Sequence, residues 1–273
     1  MEVVPLLAGV VAAALIAPVG LQVLAENGPR REAELPYPAG AIALAAALIA
    51  LIPLATLQEL AGWDVLRPDT ILFGALDKEE PVVAEGPVLG TLELYGPPER
   101  DATALFAMPL ALGAAFLGLL DDVLAGRAAL ATRLLTVAGA LGLALLTFAD
   151  YDLPAGEYLL AAAVAVLATH LFGRIGERPG RAIPAFVLLA AGLLIGTWDP
   201  DPLRAAGLFA GPLLVLGVYE LRGRAALGRT GSNLAGALVG VWCVLALDTI
   251  GQIAALVVLA AGTASKERFP GRW

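Results

Sequence analysis

The feature that most limits what this chain can become is its division into about nine long apolar runs, each near the roughly 20 residues that an α-helix needs to cross a bilayer. The runs are Val3 to Leu24, Ala39 to Leu57, Ala102 to Leu120, Ala128 to Ala149, Glu157 to Phe172, Ala182 to Trp198, Leu203 to Tyr219, Ser232 to Leu247 and Ile250 to Ala264. Charged side chains make up only 15% of the 273 residues, against 59% hydrophobic ones. Water-soluble domains average about a quarter charged. The sequence therefore predicts an all-α polytopic membrane protein, one transmembrane domain over 1–273. Arg30 and Arg31 follow the first run and no basic residue precedes it, so this run reads as a retained span and not as a cleaved signal peptide.

Short cytoplasmic loops collect Lys and Arg, so the basic residues set the orientation. With the N-terminus outside, the cytoplasmic segments hold Arg30, Arg31, Arg127, Arg133, Arg174, Arg178, Arg181, Arg222, Arg224, Arg229, Lys266, Arg268 and Arg272. Only Arg67, Lys78, Arg100 and Arg204 of the 17 basic residues fall outside. The expected topology is a multi-pass protein of the plasma membrane with its N-terminus outside and its C-terminus in the cytoplasm. Most acids then lie outside, many of them in the one sizeable extramembrane segment, 58–101. Its prolines, Pro81, Pro87, Pro97 and Pro98, and the alternating stretch Val88 to Tyr95 suggest a small extracytoplasmic hairpin or capping loop.

The net charge of −8 removes nucleic acid from the partners, because a phosphate backbone requires a basic face. Cys243, the single cysteine, lies inside an apolar run, which excludes a disulfide framework and thiolate zinc-ligand spacing.

Polar groups at membrane depth are costly, so those at helix ends on the basic side are candidate sites. Gly118-Leu119-Leu120-Asp121-Asp122 ends the third run with adjacent carboxylates, which suit a divalent cation or a proton and equally suit a solvated helix end. The second cluster runs from His170 to Arg181, with glycines that admit close backbone approach and arginine forks that match phosphate; its bland alternative is a tight cytoplasmic turn. The third runs from Tyr219 to Asn233. There, Gly228-Arg229-Thr230-Gly231-Ser232-Asn233 leads into a helix whose free N–H groups could receive an anion, with Ser232 equally suited to be an N-cap. Gly236 and Gly240 make a small-residue face for helix packing.

Taken in order, these clusters resemble the polyprenyl-phosphate N-acetylhexosamine-1-phosphate transferases, the family of phospho-N-acetylmuramoyl-pentapeptide transferase. The likeness rests on Gly-Leu-Leu-Asp121-Asp122, on Asn27-Gly28-Pro29 with Pro36-Tyr37-Pro38-Ala39-Gly40, on Arg178-Pro179-Gly180-Arg181-Ala182, and on Leu227-Gly228-Arg229-Thr230-Gly231-Ser232-Asn233. The resemblance implies transfer of a sugar-1-phosphate from a UDP-sugar to polyprenyl phosphate, in cell-envelope glycan synthesis, with Mg²⁺ held by carboxylates. It implies Asp121, Asp122 and His170 as catalytic positions, Asp121 and Asp122 as the metal ligands, and Arg178, Arg181, Arg229, Thr230, Ser232 and Asn233 as phosphate-binding.

The chain departs from the family pattern where metal chemistry is most exacting. His170 and Gly173 stand at asparagine positions, Gly176 and Arg229 at aspartate positions, Pro184 at a lysine position, and Ala125 near another lysine. A glycine offers no ligand and an arginine repels the cation, so Mg²⁺ binding is expected to be weak. The expectation is a phosphoglycosyl transferase-like protein with lost or altered catalysis. The alternatives are a non-catalytic scaffold or regulator that binds a lipid phosphate, a membrane partner enzyme or a second copy, and, less favoured, a secondary transporter.

Overall fold

A computed structural model describes residues 4–27, 38–61, 97–124, 137–142, 144, 154–197 and 201–268. Every regular element among them is helical. The long helices are α1 (Val4–Asn27), α2 (Gly40–Ala61), α3 (Pro97–Val123), α4 (Ala155–Ile175), α5 (Ala182–Thr197), α6 (Asp201–Leu221), α7 (Gly228–Ala246) and α8 (Thr249–Arg268). Of the expected fourth run, only 137–142 and 144 are described, and they are helical.

Each of these helices falls on an expected run, and the differences lie at the ends. The 58–101 segment is shorter than expected, because α2 continues to Ala61 and α3 begins at Pro97. Pro97 and Pro98 open a helix instead of breaking one, since the first turn has no intrahelical acceptor for the N–H that proline lacks. The expected hairpin falls on 62–96, outside the described residues. Helix α7 begins at Gly228, four residues before the expected Ser232. Ser232 is therefore an interior helical residue, and its Oγ donates to the Gly228 carbonyl at 2.6 Å.

Helix α7 is the hub. From Gly228 to Val244 every residue except Arg229 is buried, and α7 touches α2, α3, α4, α5, α6 and α8. Its contact with α4 is a glycine seam, as a small-residue face predicts. A Cβ at Gly236 would meet the Ala168 carbonyl oxygen and Thr169 Cα, and one at Gly240 would meet Ala165 Cα. The backbones approach too closely there for any larger side chain.

The peripheral helices invert the pattern of a soluble protein. On α1 the small Gly9, Ala13 and Ala17 face inward, while Leu7, Val11, Leu15, Val19 and Val23 form an exposed stripe. On α8 Gln252 is buried and Ile250, Val257 and Val258 are exposed. Amphipathic helices of soluble proteins place their large aliphatic residues in the core. Two of the described helices, α1 and α4, are long and apolar enough to cross a membrane, and Gly40–Leu51, Ala182–Thr197, Ala206–Leu221 and Thr249–Thr263 are shorter apolar stretches.

Candidate functional site

Three sequence clusters far apart in the chain meet at the start of α7, because glycines there allow backbones to touch. A Cβ at Gly118 of α3 would fall on the Arg229 carbonyl, one at Gly40 of α2 would fall on the Gly231 nitrogen, and one at Gly176 would fall on the Ser232 side chain. The chain enters α7 through Gly228, whose φ of 72° is a left-handed conformation that other residues adopt at a cost.

These close approaches bring Asp122 under the first turn of α7. Asp122 is 2% exposed. Its Oδ1 accepts from the Arg229 N–H at 3.0 Å, and its Oδ2 accepts from the Thr230 N–H at 2.9 Å and from Thr230 Oγ1 at 2.7 Å. Helix N-termini carry unsatisfied N–H groups and a partial positive charge. Asp122 meets both demands from another helix, which is why α7 has no side-chain cap from its own preceding residue, Leu227.

Asp121, the neighbouring acid, points instead at the Arg229 side chain, with Oδ2 2.7 Å from Nε. The same guanidinium donates through Nη2 to Glu177 Oε1 at 2.9 Å. Arg229 thus joins the end of α3 to the turn after α4. It occupies the place where the family resemblance implies an acid, and it neutralises the acids that remain.

The other candidate residues divide into two groups. Thr230, Ser232 and Asn233 are buried in α7, and the hydroxyls of the first two are hydrogen-bonded within the chain. Arg178 and Arg181 are exposed in the turn between α4 and α5. His170 is half-buried on α4, four residues before Arg174. Gly173 and Gly176 are filled positions, because a Cβ at Gly173 would lie 2.5 Å from Asn233 Oδ1.

One participant was not singled out as a site residue from sequence. Glu220, in the last turn of α6 and beyond the apolar run ending at Tyr219, is 6% exposed. Its Oε1 accepts from the Leu227 N–H at 3.0 Å, while Oε2 has no hydrogen-bond partner. The Ala226 and Leu227 carbonyls in turn accept from Ala39 and Gly40 at 2.9 and 3.0 Å. Glu220 therefore sets the segment that caps α2. Its signal was available, since an acid ending an apolar helix on the basic side meets the same test that marked Asp121 and Asp122.

No protein-family model, curated protein or solved structure matches this chain.

Proposed function

We propose that this chain is a multi-pass plasma-membrane protein built on the phosphoglycosyl transferase plan, with Mg²⁺-dependent sugar-phosphate transfer lost or altered. The membrane part of the reading is supported by the inverted helices. Large aliphatic side chains point outward on α1 and α8, as lipid contact favours and water does not. The four junctions at 38–40, 118–124, 174–182 and 220–231 meet at one end of the bundle, as an alternating topology with those segments in the cytoplasm requires. Alkaline carbonate should leave the protein in the membrane pellet. An impermeant maleimide on intact cells should label Glu85→Cys and spare Arg222→Cys, against a background in which Cys243 is buried. The reverse labelling would invert the topology.

The observation that carries the loss of catalysis is that α7 neutralises both acids. Asp122 receives three hydrogen bonds from Arg229 and Thr230, and Asp121 pairs with Arg229. Magnesium requires near-octahedral oxygen donors with negative charge to spare. This donor set does not fit it. The Gly176 position faces Ser232 with no room for a ligand, and the described residues contain no group of three His, Cys, Asp or Glu placed to hold a metal. The decisive assay is UMP release from UDP-N-acetylhexosamines with undecaprenyl phosphate in Mg²⁺. Turnover on the order of 1 per second or faster, typical of enzymes, would sink the proposal.

A second reading is an active transferase in which arginines replace the metal. It is favoured by Arg178 and Arg181, exposed beside Glu177, since fixed cations can stabilise phosphate charge. Turnover that survives excess EDTA and is abolished by Arg178→Ala would select it. Without turnover, the role is that of a scaffold or regulator that engages a polyprenyl phosphate or a partner membrane enzyme.

A further inference from the structure

Two turns carry arginines at the end of the bundle where α7 begins. One, between α4 and α5, holds Arg178 and Arg181, and the other, after α6, holds Arg222 and Arg224. All four are exposed, and none has an acidic partner among the described residues. In a chain of net charge −8, four guanidiniums in two short turns whose one exposed acid, Glu177, is paired with Arg229 are a local reversal of sign. The turns are also held side by side. A Cβ at Gly217 of α6 would lie 2.6 Å from Ile183 Cγ2 of α5, so the start of α5 and the end of α6 are in contact.

Directly below the arginines the surface turns apolar. One turn along α5 from Ile183, Val187 and Leu188 are 41% and 73% exposed, and at the end of α6 Val218 and Leu221 are 46% and 58% exposed. A soluble phosphate would use the cations and leave this apolar rim in water. A molecule with a phosphate headgroup and hydrocarbon tails would cover both. We propose that Arg178, Arg181, Arg222 and Arg224 form one site for the phosphate headgroup of an anionic bilayer lipid, whose tails lie against the exposed ends of α5 and α6. This inference rests on the membrane reading above and is independent of whether the chain transfers sugar phosphate.

The test is native mass spectrometry of the full chain, released from micelles containing equal amounts of phosphatidylglycerol and phosphatidylcholine with matched acyl chains. The wild type should retain the anionic lipid in preference, with the preference falling as salt is raised. Arg178→Ala with Arg181→Ala, and separately Arg222→Ala with Arg224→Ala, should each weaken retention by about five-fold per arginine removed. Exposed positions should leave thermal unfolding unchanged, which separates lost binding from lost fold. Equal retention of the two lipids, or either arginine pair being dispensable, overturns the shared site. Displacement of the lipid by inorganic phosphate at equal concentration would show a soluble-anion site and overturn the lipid assignment. If the chain keeps a neutral lipid shell but no anionic preference, this proposal fails and the membrane reading stands. If carbonate extracts the chain from membranes, the membrane reading fails first.

Discussion

The opening turn of α7 and the arginine turns at its edge carry similar chemistry and treat it in opposite ways. At α7, every charge is met from within the chain. Asp122 caps the helix, Arg229 holds Asp121 and Glu177, and Thr230 and Ser232 donate to neighbouring acceptors. In the turns at 178–181 and 222–224, the guanidiniums are exposed, and none has an acidic partner among the described residues. Desolvating a charge costs several kcal/mol unless it is paired, so a buried network must be complete, and its completeness leaves little capacity for a ligand. Exposed arginines carry no such demand. The groups a sequence marks as phosphate-binding thus separate into a structural clasp and a surface open to anions.

Removing the cap should break the clasp most severely. Asp122→Ala leaves the Arg229 and Thr230 amides and the Thr230 hydroxyl without an acceptor, at a cost of about 3 kcal/mol, read as a fall in Tm in micelles. If Asp122 were instead an acid held ready for a cation, removing its charge without Mg²⁺ present would leave Tm unchanged or raise it.

Next in size is the attempt to restore the lost acid. Gly176→Asp places Cβ on the Ser232 side chain, and overpacking of this kind costs about 1–3 kcal/mol. Adding Ser232→Gly should recover part of the loss, and a double-mutant cycle would measure the coupling. Equal destabilisation with and without Ser232 would mean that the two positions do not share one space, and that the metal position is open.

Arg229→Ala ranks third, at about 1–2 kcal/mol, because it breaks a partly buried pair with Asp121 and an exposed one with Glu177. The backbone N–H of residue 229 still reaches Asp122, so α7 should stay capped. Calorimetric titration should then detect Mg²⁺ binding more readily than in the wild type, since the competing cation is gone. No gain in Mg²⁺ affinity would show that Asp121 is oriented by something other than Arg229.

The helices were legible because their signal is local. An apolar run between charges and turn-formers marks α1 or α6 without knowledge of the rest. The start of α7 was not, because the group that begins it, Asp122, lies 107 residues from Arg229 in sequence. Thr230-Gly231-Ser232-Asn233 reads equally as an anion-binding turn or as a buried first turn, and only the carboxylate beneath it decides between them. Gly176 was read as a missing ligand. It is also a required absence, since Ser232 fills the volume its side chain would take. Glu220 escaped notice as a site because its partner, the Leu227 amide, is backbone and leaves no residue-type signature.

The smallest expected effect tests the boundary between the two regions. Glu177 belongs to the arginine turn by sequence, yet it accepts from Arg229 at 2.9 Å and so touches the clasp. Its side chain is 38% exposed, where water and salt screen most of the attraction, and exposed pairs contribute about 0–1 kcal/mol. Glu177→Gln keeps a hydrogen-bond acceptor and removes only the charge. It should lower Tm by an amount equivalent to about 0.5 kcal/mol or less, and the difference should vanish at 1 M salt, where the Debye length is about 3 Å. The same variant removes the acid that precedes Arg178 in sequence, so anionic lipid retention should rise slightly as stability barely moves. A loss of more than about 1 kcal/mol, persisting in salt, would place Glu177 inside the clasp. The arginine turn could then no longer be treated as a surface independent of α7.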